Sequence, residues 1–287
     1  MTYPYAILTD SCCDLTGAQQ QELDVTSVPL TVTYNGENYE NFSQPAAVKV
    51  FYQELRRGVT AATAAVNPEG WAAAMVPCLA KGQDVLVLTI SSALSATYQS
   101  AVIAAQELGQ QYPQRKIYVV DTLCAALGQG LLVWHASRQR RAGMDIDSLY
   151  RWVLDQRLHV CHWVTVDDLR HLKRGGRITA TTAMVGSMLH IKPIIYVSNE
   201  GKLLNVAKTR GRKAAISFLA EKLEQTAIDR DTVFIAHGDC PEDAAALEAI
   251  LKEKHGVKQV ITGYVGPVIG AHTGPGVLVL FFLGSHR

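Results

Sequence analysis

The sequence has almost no net charge and no long apolar run, and each of these absences excludes a class of protein. Its 287 residues carry 27 lysine and arginine and 26 aspartate and glutamate side chains, a net charge of +1. No global positive field therefore attracts a nucleic acid. The apolar run at 277–283 is strand-sized and far too short to cross a bilayer. We expect neither a nucleic acid partner nor a membrane-spanning segment.

Metal-binding and secretion signals are also missing. The six cysteines are scattered without a Cys-x-x-Cys pair, which argues against a zinc knuckle or a dithiol redox motif. His159, Cys161 and His162 belong to an alternating segment that continues as a strand, so neighbouring groups point to opposite faces. The first five residues contain no basic region of the kind that begins a secretion signal. We therefore expect a cytoplasmic protein with free thiols, no metal and no cofactor.

Three familiar catalytic or nucleotide-binding motifs are absent. The chain contains no Gly-x-Ser-x-Gly, no Gly-x-x-x-x-Gly-Lys-Ser/Thr, and no Gly-x-Gly-x-x-Gly after the first strand. The sequence Gly128-Gln129-Gly130 falls inside a helical pattern, so it is not a phosphate loop. The chain thus offers no familiar route for binding ATP or a dinucleotide.

Strands and helices alternate in the first half of the chain. Continuous apolar runs followed by helical patterns are typical of parallel strands that are buried on both faces. The predicted elements are strands at 5–9, 85–90 and 116–120 and helices at 46–57, 68–81, 94–111 and 125–142. This alternation predicts a Rossmann-like parallel sheet in a domain that covers residues 1–145.

The second half has a different pattern, which predicts a second α/β domain at 146–287. A hairpin with Gly201 at its turn implies a mixed or antiparallel sheet with helices on one face. The strand at 277–283 is expected to close this sheet, and a ligand is expected between the two domains. The predicted elements are helices at 147–158, 212–225 and 241–254 and strands at 160–166, 191–197, 202–207, 232–236, 258–262 and 277–283.

Three segments carry groups that suit an anion. The segment 91–97 supplies four hydroxyl groups between a buried strand and a long helix, whose first turn favours negative charge. A second segment places Arg174 and Arg177 on either side of two glycines, and arginine binds carboxylate or phosphate in bidentate fashion. In the third, His272 lies in a glycine-rich stretch that predicts a tight loop before the last strand. None of these groups is an obvious nucleophile.

Two further polar pairs follow predicted parallel strands. Asp10-Ser11 and Asp121-Thr122 lie where open α/β sheets bind ligands, at the carboxyl ends of the strands. The alternative interpretation is that these side chains cap the next helix, and the two roles are compatible. Asp10 and Ser11 are therefore secondary candidates for the site.

The combination of these segments resembles the DegV family over essentially the whole chain. The matching stretches are 8–15, 90–101, 119–122, 167–178, 191–194, 201–212 and 270–276. The resemblance implies a two-domain α/β protein that binds one long-chain fatty acid without being an enzyme. It also implies that a separate kinase subunit supplies ATP and phosphorylates the bound carboxylate, giving an acyl phosphate for phospholipid synthesis.

The resemblance also implies roles for individual residues. The carboxylate-binding residues would be Thr63, Ser91, Ser92, Ser95, Arg177 (or Arg174) and His272. A kinase-facing surface would include Lys208, Arg210 and Arg212. The family usually has Thr-Ser-Gln-Pro followed by Ser or Asn where this chain has residues 63–67, and glycine at Ala96. Apolar candidates for the wall of a tunnel are Met184, Val185, Met188, Leu189, Ile191, Ile194 and Ile195.

Two other functions stay open from the residues alone. One is a hydrolase that uses Ser11 or Ser92 with His272. The other is a small-molecule or nucleotide sensor that uses the Rossmann-like half. The chain length and unsaturation of a fatty acid, the identity of a kinase and the oligomeric state do not follow from the sequence.

Overall fold

The computed structural model describes residues 3–40, 45–167, 169–178 and 190–287. Within these ranges the chain forms three sheets with helices between and around them. The strands are β1 (Tyr5–Asp10), β2 (Val25–Val28), β3 (Thr31–Tyr34), β4 (Glu37–Tyr39), β5 (Ala62–Ala64), β6 (Asp84–Thr89), β7 (Ile117–Asp121), β8 (Val160–Thr165), β9 (Ile191–Val197), β10 (Leu203–Arg210), β11 (Thr232–His237), β12 (Gln259–Tyr264) and β13 (Leu278–Leu283).

The helices alternate with the strands through most of these ranges. A short 3₁₀ helix follows β1 at Ser11–Cys13. The α-helices are α1 (Gly17–Leu23), α2 (Pro45–Arg56), α3 (Pro68–Ala80), α4 (Thr97–Gln111), α5 (Leu127–Arg141), α6 (Ile146–Gln156), α7 (Arg170–Arg174), α8 (Arg212–Thr226), α9 (Pro241–His255) and α10 (Pro267–Thr273). Local sequence explains several starts: Asn67 caps α3 ahead of Pro68, and Asp145 caps α6.

The first half contains the predicted parallel sheet. Its strand order is β2-β1-β6-β7, and every pairing in it is parallel. Alternate residues of β6 enter different cores: Leu86 and Leu88 pack with α5, whereas Val85 and Val87 pack with α3 and α4. The sheet is therefore buried on both faces, as its continuous apolar strands predict.

The second half contains a mixed sheet of order β10-β9-β8-β13-β11-β12. The pair β11 and β12 is parallel, and the other pairs are antiparallel. The prediction that 277–283 closes this sheet is wrong, because β13 lies at its centre between β8 and β11. The centre suits this strand because Leu278 to Phe282 are all almost completely buried.

Helices cover both faces of the mixed sheet. Leu280 and Phe282 of β13 pack with α8 and α9, which are two helices of the second half. Val279 and Phe281 face the other way and pack with α5 from the first half. The expected single helical layer is therefore incomplete: α5 lies between the two large sheets and contacts both.

A small third sheet was not predicted. It has the order β4-β3-β5, with antiparallel pairs, and Thr63 lies in β5 opposite Val32. The stretch around Thr63 is therefore a strand, although no element was predicted between the helices at 46–57 and 68–81. Similarly, His272 lies in the last turn of α10 rather than in a loop, and the turn follows at Gly274.

Candidate functional site

A cavity of about 220 Å³ lies among the parallel sheet, the mixed sheet and α10. The loops that follow β1, β6 and β7 contribute Cys12, Ile90 and Ala125 to its wall. These loops are at the carboxyl ends of parallel strands, where open α/β sheets place their ligands. Most of the wall is apolar and includes Leu30, Leu94, Val164, Leu172, Ile195, Val197, Leu203, Val265, Val268, Ile269, Val277, Val279 and Phe281.

Polar side chains from four separate parts of the chain reach the same cavity. Thr63 comes from β5, Ser95 precedes α4, Arg177 follows α7, and His272 comes from α10. The Oγ1 atom of Thr63 and the Nε2 atom of His272 share a hydrogen bond of 2.8 Å. Residues far apart in the sequence therefore form one polar region in an otherwise apolar wall.

Arg177 is held close to this pair by backbone carbonyl groups. Its Nε donates to the oxygen of Leu94 over 3.1 Å, and its Nη1 donates to the oxygen of Gly175 over 2.5 Å. Gly175 also lies directly against the imidazole of His272, because a Cβ atom at Gly175 would be 2.3 Å from Nδ1. Gly175 thus makes room for the imidazole of His272, whereas nothing lies within 4 Å of a Cβ atom at Gly176.

His272 is neutral at physiological pH. Burial, followed by the charges of Arg177 and Arg174, lowers its pKa to about 4. A neutral imidazole beside a guanidinium offers a hydrogen bond and one positive charge, without the cost of burying two cations. This combination suits a carboxylate better than a dianion.

The other predicted site residues lie in different places. Ser95 lines the cavity, and its Oγ accepts a hydrogen bond from the N–H of Thr97. Ser91 is buried outside the wall and donates to the oxygen of Gly201 over 2.9 Å. Ser92 is exposed and does not line the cavity, and its N–H donates to Asp121. Of the three serines, only Ser95 therefore reaches the cavity.

The secondary candidates are structural in this geometry. Asp10 accepts hydrogen bonds from the N–H groups of Cys12 and Ile90, and burial raises its pKa to about 6. Ser11 accepts from the N–H of Leu30 over 2.9 Å. Both residues thus join the loops behind the cavity wall. Arg174 is exposed, and its Nη2 lies 3.0 Å from Nδ1 of His171.

The candidate kinase-facing residues differ from one another. Lys208 and Arg210 are exposed on β10, an edge strand of the mixed sheet. Arg212 is half-buried instead, where its Nε donates to Asp243 and its Nη2 donates to the oxygen of Gly276, each over 2.8 Å. Its side chain thereby holds the stretch after α10 against the start of α9.

Sequence reasoning missed part of the cavity wall. His162 lines the cavity as a buried, neutral residue, because burial lowers its pKa to about 3. Its Nδ1 donates to Val160, and its Nε2 accepts from the N–H of Ala125. The alternation of His162 with Val160 and Val164 is the signal that would have placed it on this face. Among the residues that the structure describes, no cluster of His, Cys, Asp and Glu is arranged to hold a metal ion.

The expected apolar wall lies only partly within the described residues. Ile195 lines the cavity, whereas Ile194 is buried on the opposite face of β9. Met184, Val185, Met188 and Leu189 lie outside the described residues. Two of the positions that depart from the usual family sequence reach the site, because Ala65 and Ala96 both line the cavity.

The chain is similar to known proteins over almost its whole length. A family model described as "Uncharacterised protein, DegV family" matches residues 4–284. The chain belongs to the DegV family. A DegV domain-containing protein from Clostridium perfringens is 43% identical over 286 residues, which cover 99% of this chain and 98% of the relative.

Solved DegV structures share the whole fold. A DegV family protein from Thermus thermophilus, described for fatty acid binding, is 30% identical, with a TM-score of 0.87 over 98% of this chain and 99% of its own. A protein from Thermotoga maritima, described as revealing a fatty acid binding function, is 27% identical, with a TM-score of 0.85 over the same shares. The predicted α/β fold, with a parallel sheet and a mixed sheet, is thereby confirmed as that of DegV proteins. The described residues contain no helix long and apolar enough to span a membrane.

Proposed function

We propose that this protein binds one long-chain fatty acid, with the carboxylate at Thr63, Ser95, Arg177 and His272 and the chain in the apolar cavity. The observation that carries this proposal is the composition of the cavity wall, which is apolar except for a small set of convergent polar groups. Two relatives with the same fold are described as fatty acid binding proteins, which supports the same ligand class here.

The energetics of a fatty acid agree with this division of the wall. Burying a sixteen-carbon chain contributes about 0.8 kcal/mol per methylene, or roughly 10 kcal/mol before the costs of association. The polar region then has to satisfy the carboxylate rather than supply most of the affinity. An unpaired buried carboxylate would be prohibitive, and the guanidinium of Arg177 with the Thr63–His272 pair removes that penalty.

The experiment that tests the ligand is mass spectrometry of an organic extract of the purified protein. We expect close to one fatty acid per chain, and calorimetry with palmitate or oleate after delipidation should give saturable one-to-one binding. A protein that is empty on purification and binds neither acid refutes the proposal.

We further propose that the protein is not itself catalytic and presents the carboxylate to a separate ATP-dependent kinase in the cytoplasm. The product would be an acyl phosphate for phospholipid synthesis. The exposed side chains of Lys208 and Arg210 support a basic contact surface for such a partner. Arg212 contributes to this surface by fixing the backbone at Gly276 rather than by offering a free charge.

The geometry favours this proposal over a hydrolase. His272 pairs with Thr63, whereas Ser11 accepts from a backbone N–H and Ser92 lies outside the cavity wall. A serine nucleophile requires a general base within hydrogen-bond reach, and neither serine has one in the described contacts. The discriminating measurement is turnover of an activated ester, which should be absent from the purified protein.

A further inference from the structure

Two short helices beside the cavity, α7 and α10, pack against each other at their C-terminal ends. Each helix ends at a glycine: Gly175 follows α7, and Gly274 follows α10. A Cβ atom at Gly175 would lie 2.3 Å from Nδ1 of His272, and one at Gly274 would lie 2.5 Å from Cδ2 of His171. At the end of each helix, a glycine therefore leaves the space that the imidazole of the other helix occupies.

The contact at Gly175 joins two groups of the polar region. His272 lies against Gly175, and the carbonyl oxygen of Gly175 accepts a hydrogen bond from Nη1 of Arg177. The position of the C-terminal end of α7 relative to α10 thus determines where the imidazole of His272 lies relative to the guanidinium of Arg177. A shift of either helix end would move one of these groups relative to the other.

The contact at Gly274 is the matching half of this arrangement. His171 lies over the residue that ends α10, two positions after His272, and its Nδ1 is 3.0 Å from Nη2 of Arg174. His171 is half-buried and does not line the cavity. Its side chain therefore has no direct contact with a ligand in the cavity, yet it touches the backbone that carries His272.

We propose that His171 is a positioning residue for the polar region of the cavity. The imidazole of His171 packs on Gly274, fixes the end of α10 and so directs His272 toward Thr63. This inference rests on the proposed fatty acid function only for its effect on affinity. Its structural content, the orientation of His272, holds in the protein without ligand.

The test compares His171→Ala with His171→Phe in the full-length, delipidated protein. Phenylalanine keeps a planar ring for the seat on Gly274 and removes the nitrogen that faces Arg174, so it separates packing from hydrogen bonding. His255→Ala is the matched control, because that imidazole lies at the far end of α9 and pairs with Glu224. The two readouts are the pKa of His272, from imidazole NMR, and the dissociation constant for palmitate.

The wild-type protein should give a pKa of about 4 for His272. In His171→Ala we expect the pKa of His272 to rise by about one unit, because the imidazole of His272 leaves its buried position beside Arg177. The dissociation constant for palmitate should rise roughly tenfold or more, as expected for a lost hydrogen bond to a charged group. His171→Phe should restore both values, and His255→Ala should change neither.

An unchanged pKa of His272 in His171→Ala overturns the inference, as does a His171→Phe variant that behaves like His171→Ala. If His171→Ala does not fold by circular dichroism, His171→Leu replaces it, since leucine fills space without a planar ring. Should the wild-type protein bind no palmitate, the proposed function fails, while the NMR titration still decides the role of His171.

Discussion

The contact between Gly128 and His162 gives a stability prediction that does not depend on the ligand. Gly128 lies in the first turn of α5, and a Cβ atom there would be 2.2 Å from Nε2 of His162. The ring cannot yield easily, because Nδ1 donates to Val160 over 3.0 Å and Nε2 accepts from Ala125 over 3.3 Å. Gly128→Ala therefore forces an overlap or breaks a buried hydrogen bond.

We expect Gly128→Ala to lower the free energy of unfolding by about 1–3 kcal/mol, the usual cost of overpacking a well-packed core. The matched control is Gly109→Ala in α4, where no atom lies within 4 Å of the added Cβ. That change should raise the free energy of unfolding by about 0.5–1 kcal/mol, because alanine favours a helix more than glycine does. The same substitution should thus have opposite signs at two helical glycines.

Urea unfolding followed by tryptophan fluorescence and by circular dichroism measures both changes, with equal m-values as the check on two-state behaviour. A double-mutant cycle then identifies the clash. His162→Ala should remove most of the cost of Gly128→Ala if the imidazole is the group that the new methyl meets. A Gly128→Ala variant as stable as the wild type, or a cycle with no coupling, refutes the reasoning.

Three further predictions concern the polar groups. Thr63→Val removes the hydroxyl that pairs with His272 and should weaken palmitate binding roughly tenfold by calorimetry while leaving the melting temperature close to that of the wild type. Arg177→Ala should keep the fold but slow acyl-phosphate formation with the proposed partner kinase, and a normal rate would contradict our assignment of Arg177. His162→Gln should flatten the pH dependence of stability. The pKa of His162 is about 3 in the folded state, so its stabilisation is complete above pH 6.5 and is lost toward pH 3, by roughly 1.4 kcal/mol per pH unit. Asp10, whose pKa is raised, makes the free energy of unfolding change with pH in the opposite direction. The test therefore compares the pH dependence of this free energy in the variant with that in the wild type, and parallel curves would contradict the prediction.

The sequence predicted the strands and helices that have a clear periodicity and missed those that lack one. Three strands of the parallel sheet, β1, β6 and β7, were found because their centres are apolar, which is what burial on both faces requires. The fourth strand, β2, was missed because Thr26 and Ser27 interrupt its apolar residues. The strand β5 escaped because Ala62–Ala64 is short and has no apolar alternation. The central position of β13 could not be predicted, because local pattern does not give the order of strands in a sheet.

The helix α10 was missed for a related reason. Its glycines suggested a loop, although Pro267 at its first position is a known start signal. Gly270 lies inside this helix because a Cβ there would be 2.5 Å from the hydroxyl of Tyr52, a contact invisible in the sequence. Tertiary packing thus overrode the local preference of glycine.

The site itself was only partly accessible to local reasoning. Thr63 and His272 are 209 positions apart, and their membership of one site was implied by the family resemblance rather than by spacing. The hydrogen bond between them was not predicted. The cluster of hydroxyls at 91–97 was read too broadly, because Ser91 is committed to the carbonyl of Gly201 and only Ser95 lines the cavity. The number of hydroxyl groups in a segment does not show which of them are hydrogen-bonded to the rest of the protein and which face the cavity.

The placement of α5 has a consequence for how the proposed ligand would enter and leave. One continuous core joins Leu86 and Leu88 of the parallel sheet, Leu131 and Leu132 of α5, and Phe281 of the mixed sheet. Separating the two halves of the chain would expose this shared core to solvent and would amount to unfolding. The proposed ligand would instead exchange through small local rearrangements of the cavity wall, so its exchange rate should respond to changes in the wall long before it responds to changes in overall stability.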